Sequence, residues 1–182
     1  MIKNNLETSK IFLNPIEESM LPSLKTYRNK YDTRRWCRQI GLLSDFDQNR
    51  WYKKINNDPT IKMFGIVEDL SGYLIGVCGL TSIDFINRHA EFSCYIEPDF
   101  RLRGYSEDAL YLLFGFGFGE LNLNLIWGET FEHNPARKLF AKIGMIEEGI
   151  RRDFYYKEGE YINAVLISIK KSEFIKRYLH EN

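Results

Sequence analysis

The stretch "EPDFRLRGYSEDAL", Glu97 to Leu110, joins the end of an apolar, β-branched run to the start of a helical one. Pro98 forbids continuation of the strand, and Gly104 has the φ freedom for a turn whose backbone N–H groups converge with those of a helix N-terminus. Arg101 and Arg103 bring positive charge to the same place, and Ser106 brings a hydroxyl. Two arrangements satisfy these residues: a cradle for phosphate oxygens, and a capped turn with solvated arginines. Spacing alone does not choose between them.

The elements that must hold this turn follow from periodicity. "KIFLNPI" reads as a short strand closed by Pro15, and "EESMLPSLKTYRNK" has helical spacing through Met20, Leu24 and Tyr27, with Pro22 tolerated in the first turn. An arginine-rich loop follows, and Ser44 with Asp47 gives a cap-like start to a second helix over about Asp45 to Ile55. "KMFGIVED", "YLIGVCGLTSID" and "RHAEFSCYIEP" are three strands with short connections, which implies an antiparallel meander. After the turn, the spacing predicts a helix over about Tyr105 to Leu121. Its middle, "LLFGFGFGEL", also fits a period of two, and each glycine there costs a helix about 1 kcal/mol. "LNLIWGETF" is a fifth strand, "NPARKLFAKIG" a helix with Pro135 in its first turn and Gly144 as C-cap, and "MIEEGIRRDFYY" and "EYINAVLISI" are a closing hairpin. "KSEFIKRYL" is a short final helix. The expected fold class is α/β, a mixed and largely antiparallel sheet of about seven strands with helices on both faces.

The 182 residues suit a single domain spanning 1–182. The 25 Lys+Arg balance the 25 Asp+Glu, so neither nucleic acid nor a membrane surface is an expected partner. A small molecule or a protein is. Cys37, Cys78 and Cys94 are odd in number and far apart, two of them inside strands, which suggests buried thiols in a reducing compartment and no metal cluster. With no apolar signal segment at the start, a cytoplasmic location is expected.

The turn and its surroundings together resemble a known family. "RLRGYS" resembles the acetyl-CoA signature of the GNAT family of N-acetyltransferases, in which Arg or Gln, two residues, Gly, one residue, then Gly or Ala wrap the pyrophosphate. "IGVCGLTSIDFINRHAEFSCYIEP" is similar to the third and fourth strands of the branch containing ribosomal-protein alanine, spermidine and aminosugar acetyltransferases. The stretch from "FGELNLNLIWGETF" to "YINAVLISI" resembles its carboxyl half. The likeness extends from about Ile11 to Ser172.

The resemblance implies an acyl-CoA site where the fourth and fifth strands splay apart. It assigns the backbone of Cys94 and Ile96 to pantetheine, Arg101, Leu102, Arg103, Gly104, Tyr105 and Ser106 to pyrophosphate, Asn134 to the pantetheine arm and Lys142 to the nucleotide side, with acetyl-CoA as donor and no metal. Direct acetyl transfer to a primary amine needs a base for an ammonium of pKa near ~10 and donors for an oxyanion. Glu91, at the start of the fourth strand, is the first candidate base, the alternative being an ion pair with Arg88 or His89. Phe140 departs from the pattern, standing where many members carry the tyrosine that protonates the leaving thiolate. Tyr155, Tyr156 or Tyr161 are candidates to replace it, Tyr155 foremost, and a catalytically silent acyl-CoA-binding module is the other outcome. Ser106 stands in a Gly/Ala place and still fits.

For the acceptor, Arg28, Asn29, Arg34, Arg35, Trp36, Arg38, Trp51 and Tyr52, with Asp84 and Arg88, are positioned to line the far end of the cleft. Basic and aromatic groups suit an anionic or sugar-bearing acceptor, whereas carboxylates suit a polyamine; a protein N-terminus is a third possibility. A homodimer through an edge strand or the final helix fits the same resemblance.

Overall fold

A computed structural model describes residues 6–178. Its strands are β1 (Ile11–Pro15), β2 (Lys62–Glu68), β3 (Leu74–Asp84), β4 (His89–Ile96), β5 (Leu125–Phe131), β6 (Ile146–Lys157) and β7 (Glu160–Lys170). Its helices are α1 (Leu21–Asn29), α2 (Tyr31–Arg34), α3 (Asp45–Asn57), α4 (Tyr105–Gly119), α5 (Arg137–Lys142) and α6 (Lys171–Tyr178). The strands form one sheet in the order β1-β2-β3-β4-β5-β7-β6. Every neighbouring pair is antiparallel except β4 and β5, which run parallel.

Helices cover both faces. On one, Leu21, Leu24 and Tyr27 of α1 and Trp51, Tyr52 and Ile55 of α3 pack with Val77 and Tyr95, which are register partners on β3 and β4. On the other, α4 and α6 close over Cys78, Leu80, Phe92 and Ile126, with Phe114, Phe118 and Phe174 fully buried. Burying side chains of that size contributes about 1.5–3 kcal/mol each, so the sheet holds α4 firmly along its length.

Local chemistry explains most element ends. The Ser44 hydroxyl accepts from Asp47 N and the Asp47 carboxylate accepts from Ser44 N, a reciprocal cap that starts α3. In α4 close packing on the sheet requires glycine at position 117: a Cβ there would stand 2.9 Å from Ile126 Cδ1 and 3.0 Å from Leu80 Cδ1. Tertiary packing thereby outweighs the propensity cost. Two local expectations change. The Arg-rich loop contains the single turn α2, and α5 begins at Arg137, because Asn134 Oδ1 accepts from Ala136 N and holds Pro135 in the preceding turn. The last residue expected in the final helix, Leu179, lies outside the described residues.

Candidate active site

The parallel ladder between β4 and β5 has only three pairs, His89↔Leu125, Ala90↔Ile126 and Glu91↔Trp127. Past them β4 continues to Ile96 and β5 to Phe131 with no pairing to each other. The gap is a cleft of about 190 Å³ lined by Glu91, Phe92, Ser93 and Cys94 on one side and Glu129, Thr130, Phe131 and Asn134 on the other. Phe92, Phe140 and Phe114 pack edge to face on the α4 side and form its apolar floor, with ring centroids 5.4–5.6 Å apart. Strand alternation turns Glu91 to the opposite face.

On that face a charged cluster has assembled from four segments. Arg38, from the loop after α2, donates from Nη2 to Glu91 Oε1 at 2.6 Å and from Nη1 to Glu129 Oε1 at 3.2 Å. Arg151 of β6 donates to the other Glu129 oxygen at 3.0 Å, and the Tyr155 hydroxyl donates to Glu129. The Glu91 and Glu129 side chains are 12% and 5% exposed, whereas Arg38 is 53% exposed. The two carboxylates are therefore built into the sheet, and the guanidinium reaches in from solvent. A buried carboxylate left without its partner costs about 3–5 kcal/mol, so this cleft requires a cation between them.

The Arg38 loop is itself pinned. Lys157 Nζ, at the end of β6, donates to the carbonyls of Arg34, Cys37 and Gln39 at 3.0, 2.8 and 2.8 Å. Asn29 hydrogen-bonds both the N–H and the carbonyl of Leu43. Arg28 donates to Gln39 Oε1 at 3.1 Å and stacks over the Tyr95 ring.

Environment sets the titration of several groups. Burial pushes the Tyr155 hydroxyl up to about 12, helped by the Glu129 carboxylate. Burial alone pushes the Cys94 thiol up to about 12, and Cys78 is raised by the same cause. Burial lowers the Lys157 ammonium. For Arg38 burial opposes the charge, but Glu91 and Tyr155 together outweigh it and the guanidinium is held more firmly than usual.

At the other end of the cleft, Glu97 donates its N–H to Ile75 O on β3. Alternation then turns the backbone polar groups of Ile96 and Cys94 toward the side that β5 has left. Gly104 takes φ +88° as the N-cap of α4, and its carbonyl accepts from Glu107 N and Asp108 N. The N–H groups of Tyr105 and Ser106 precede that hydrogen-bonded turn, as at any helix N-terminus, and are available to an anion. The arginines are used differently. Arg101 donates to Ile96 O, Asp32 O and Thr33 Oγ1, each at 3.0 Å, and so ties α2 to the turn. Arg103 lies over the Phe100 ring, Leu102 is fully exposed, and the Tyr105 hydroxyl donates to Glu68. Lys142 pairs with Glu107 at 2.6 Å and Lys10 with Asp108 at 3.4 Å, so the acids of the first turn of α4 carry their own cations. A strand edge that β5 has left, with Ile96 O held by Arg101, a positive-φ turn and a helix start fit a pantetheine arm and a pyrophosphate.

Of the expected acceptor residues, Arg28, Trp36 and Arg38 line the cleft. Asn29 is taken up in holding the loop. Asp84 and Arg88 are not brought to the cleft: Asp84 accepts from the N–H groups of Ile86 and Asn87 in the β3–β4 turn, and Arg88 O accepts from Asn124 N at the closed end of the ladder. The alternative of a Glu91 pair with Arg88 or His89 is not realised, since Glu91 pairs with Arg38. Tyr155 and Asn134 lie in the cleft, whereas Tyr156 and Tyr161 are exposed on the hairpin. Glu129 and Lys157 were not anticipated. Glu129 is a lone acid inside an apolar strand, a signal present in the sequence; Lys157 had none, because its partners are backbone carbonyls 118 to 123 residues away.

A seven-stranded mixed sheet parted between parallel β4 and β5, with a positive-φ turn and a helix start after β4, is the architecture of the acyl-CoA N-acyltransferase fold. The profile of the acetyltransferase (GNAT) domain matches residues 10–146. The chain is 30% identical over 170 residues to a spermidine N(1)-acetyltransferase of Vibrio cholerae, covering 93% of this chain and 98% of that one. It is 30% identical over 129 residues to the putative ribosomal N-acetyltransferase YdaF of Bacillus subtilis, covering 70% and 67%. Its fold matches the crystal structure of the Vibrio cholerae spermidine N-acetyltransferase in complex with CoA and spermine with a TM-score of 0.87 at 24% identity, over 92% of this chain and 99% of that one. This chain belongs to the GNAT family of acetyltransferases and is an acetyl-CoA-dependent N-acetyltransferase. β6 after its first residue, β7 and α6 lie beyond the matched span and complete the same sheet and its α4 face.

Proposed function

We propose that the protein transfers the acetyl group of acetyl-CoA directly to a primary amine of a small polycation of the polyamine class. The observation that carries the acceptor class is the pair of buried carboxylates, Glu91 and Glu129, held across the mouth of the cleft on one guanidinium. A pair so placed suits an alkylammonium and disfavours an anionic acceptor, and of the arginines that suggested an anion Arg38 meets the two carboxylates, Arg28 the Gln39 side chain and the Tyr95 ring, and Arg34 and Arg35 the rings of Tyr31 and Trp36. The relatives named for spermidine agree in kind.

In this reading the donor's pantetheine runs along the free edge of β4 at Cys94 and Ile96, and its pyrophosphate rests on the N–H groups of Gly104 to Ser106. Asn134 meets the pantetheine arm, and Lys142 the nucleotide side. Acetyl-CoA supplies an activated thioester. The chain aligns the amine with it, which removes the entropic part of the barrier, and aims β4 N–H groups at the developing oxyanion. Glu91 accepts the proton of the ammonium, directly or through water. No protein nucleophile is required, and a Cys94 thiol pushed up to about 12 has almost no thiolate at neutral pH. Phe140 has no proton to give, and Tyr155 holds its own toward Glu129, so the thiolate leaves without a protein acid.

Release of free CoA from acetyl-CoA in the presence of spermidine, spermine, an aminosugar and a peptide with a free N-terminus tests the acceptor. Turnover with the polyamines above the others is expected. Turnover only with the aminosugar or the peptide would overturn the acceptor class. CoA binding without turnover across the panel would place the acceptor outside these three classes.

A further inference from the structure

Arg38 occupies the place where the acceptor reading needs the acceptor's charge. Its guanidinium bridges Glu91 and Glu129, the two carboxylates that line the mouth of the cleft, at 2.6 and 3.2 Å. No amine can reach Glu91 on that side while it stays. The backbone on either side of Arg38 is fixed, since Lys157 binds the carbonyls of both Cys37 and Gln39. The side chain, about half exposed on a flexible three-carbon stem, is the part with freedom to withdraw. It has somewhere to go, because Arg38 lines the cleft and its side chain is 53% exposed.

Charge decides what can replace it. Glu91 and Glu129 carry two negative charges, and Arg38 and Arg151 two positive ones. If Arg38 withdraws and a neutral molecule enters, a carboxylate that is nearly buried loses its counter-charge, which is strongly unfavourable. If an ammonium enters, the balance is kept. When its proton passes to Glu91, R–NH3⁺ and Glu91 carboxylate become R–NH2 and Glu91 carboxylic acid, and Glu129 remains paired with Arg151. At no step is a buried charge left alone.

We propose that Arg38 is a resident cation seated in the acceptor's ammonium site, displaced when an acceptor binds, and that this exchange restricts the enzyme to acceptors positively charged at the reacting end. Arg38 is in this sense a specificity-determining residue, and the inference rests on the acceptor reading given above. The resident cation also lowers apparent acceptor affinity by the fraction of time it holds the seat.

The test removes the tether and offers its head group free. Calorimetric titration of Arg38→Ala with methylguanidinium should show binding at least about tenfold tighter than to the wild type, whose seat is filled. In the same variant the KM for spermidine should fall about tenfold with kcat changed less than about threefold, while Arg38→Lys, which keeps a cation but not the bridging fork, should lie between Arg38→Ala and the wild type. A raised KM in Arg38→Ala, which a residue that merely braces the loop predicts, or no binding of methylguanidinium to it, would overturn the proposal. Should Arg38→Ala fail to fold, a crystal structure of the wild type with spermidine decides: Arg38 withdrawn from Glu91 supports the exchange, and Arg38 still on both carboxylates refutes it. The methylguanidinium titration does not depend on acetyl transfer, so it reads the seat even if no polyamine is acetylated.

Discussion

The ring of Phe92 lies on the backbone of Gly128, at the first position past the last hydrogen-bonded pair of β4 and β5. A Cβ on Gly128 would stand 2.6 Å from Phe92 Cε1. The glycine therefore admits an aromatic wedge between two strands that would otherwise zip together, and the wedge forms the floor of the cleft. Gly128→Ala should destabilise the protein by about 1–3 kcal/mol, the usual cost of overpacking, and lower its Tm by roughly 2–10 °C in a thermal melt. Adding Phe92→Ala should recover part of that loss, so the two changes will be non-additive.

Glu91→Gln keeps the shape of the side chain and its hydrogen bond from Arg38 while removing the ability to accept a proton. Steady-state kinetics should show kcat reduced by about 10²–10⁴, the range of general-base catalysis, with CoA affinity by calorimetry unchanged. A loss below tenfold would transfer the role to water or to Glu129.

Tyr155 holds its proton to about 12, above the ~10 of a free phenol, because burial and Glu129 both disfavour the phenolate. A thiolate whose thiol has a pKa near ~8.5 cannot easily take it. Tyr155→Phe should consequently lower kcat by less than about tenfold. The sign of its pH effect follows from a raised native pKa: the unfolded chain loses this proton first as pH rises. The stabilisation is complete below about pH 10 and is lost as pH climbs through about 12. Phenolate absorbance should show a late-titrating group that Tyr155→Phe removes.

Lys157→Met deletes an ammonium that holds three carbonyls of the acceptor-side loop. Chemical denaturation should show a loss of about 2 kcal/mol, and the acceptor KM should rise severalfold while CoA affinity is kept. Equal weakening of both ligands would mean that the loop supports the whole cleft.

Much of the fold could be read in the sequence because the signals were local. Ser44 and Asp47 cap α3 with their own backbone, Pro22 sits in the first turn of α1, and the alternating runs from Lys62 to Ile96 pair as a meander. Even the ambiguous "FGFGFG" is helical, though the reason, the nearness of Leu80 and Ile126 to Gly117, lies in other strands.

The amino-acid sequence by itself determined the family, the donor and the turn that precedes α4, since a strand stop, a positive-φ glycine and a helix start are dictated by adjacent residues. The tertiary structure alone decided how the charges are used. Arg101, which reads as a phosphate ligand, braces α2; Arg38, which reads as part of a basic acceptor loop, bridges two nearly buried acids; and Glu129 and Lys157 act on groups about 90 and 120 residues away. Whether a charged side chain meets water, an opposite charge or a carbonyl depends on which distant strands pack against it, and no local pattern encodes that.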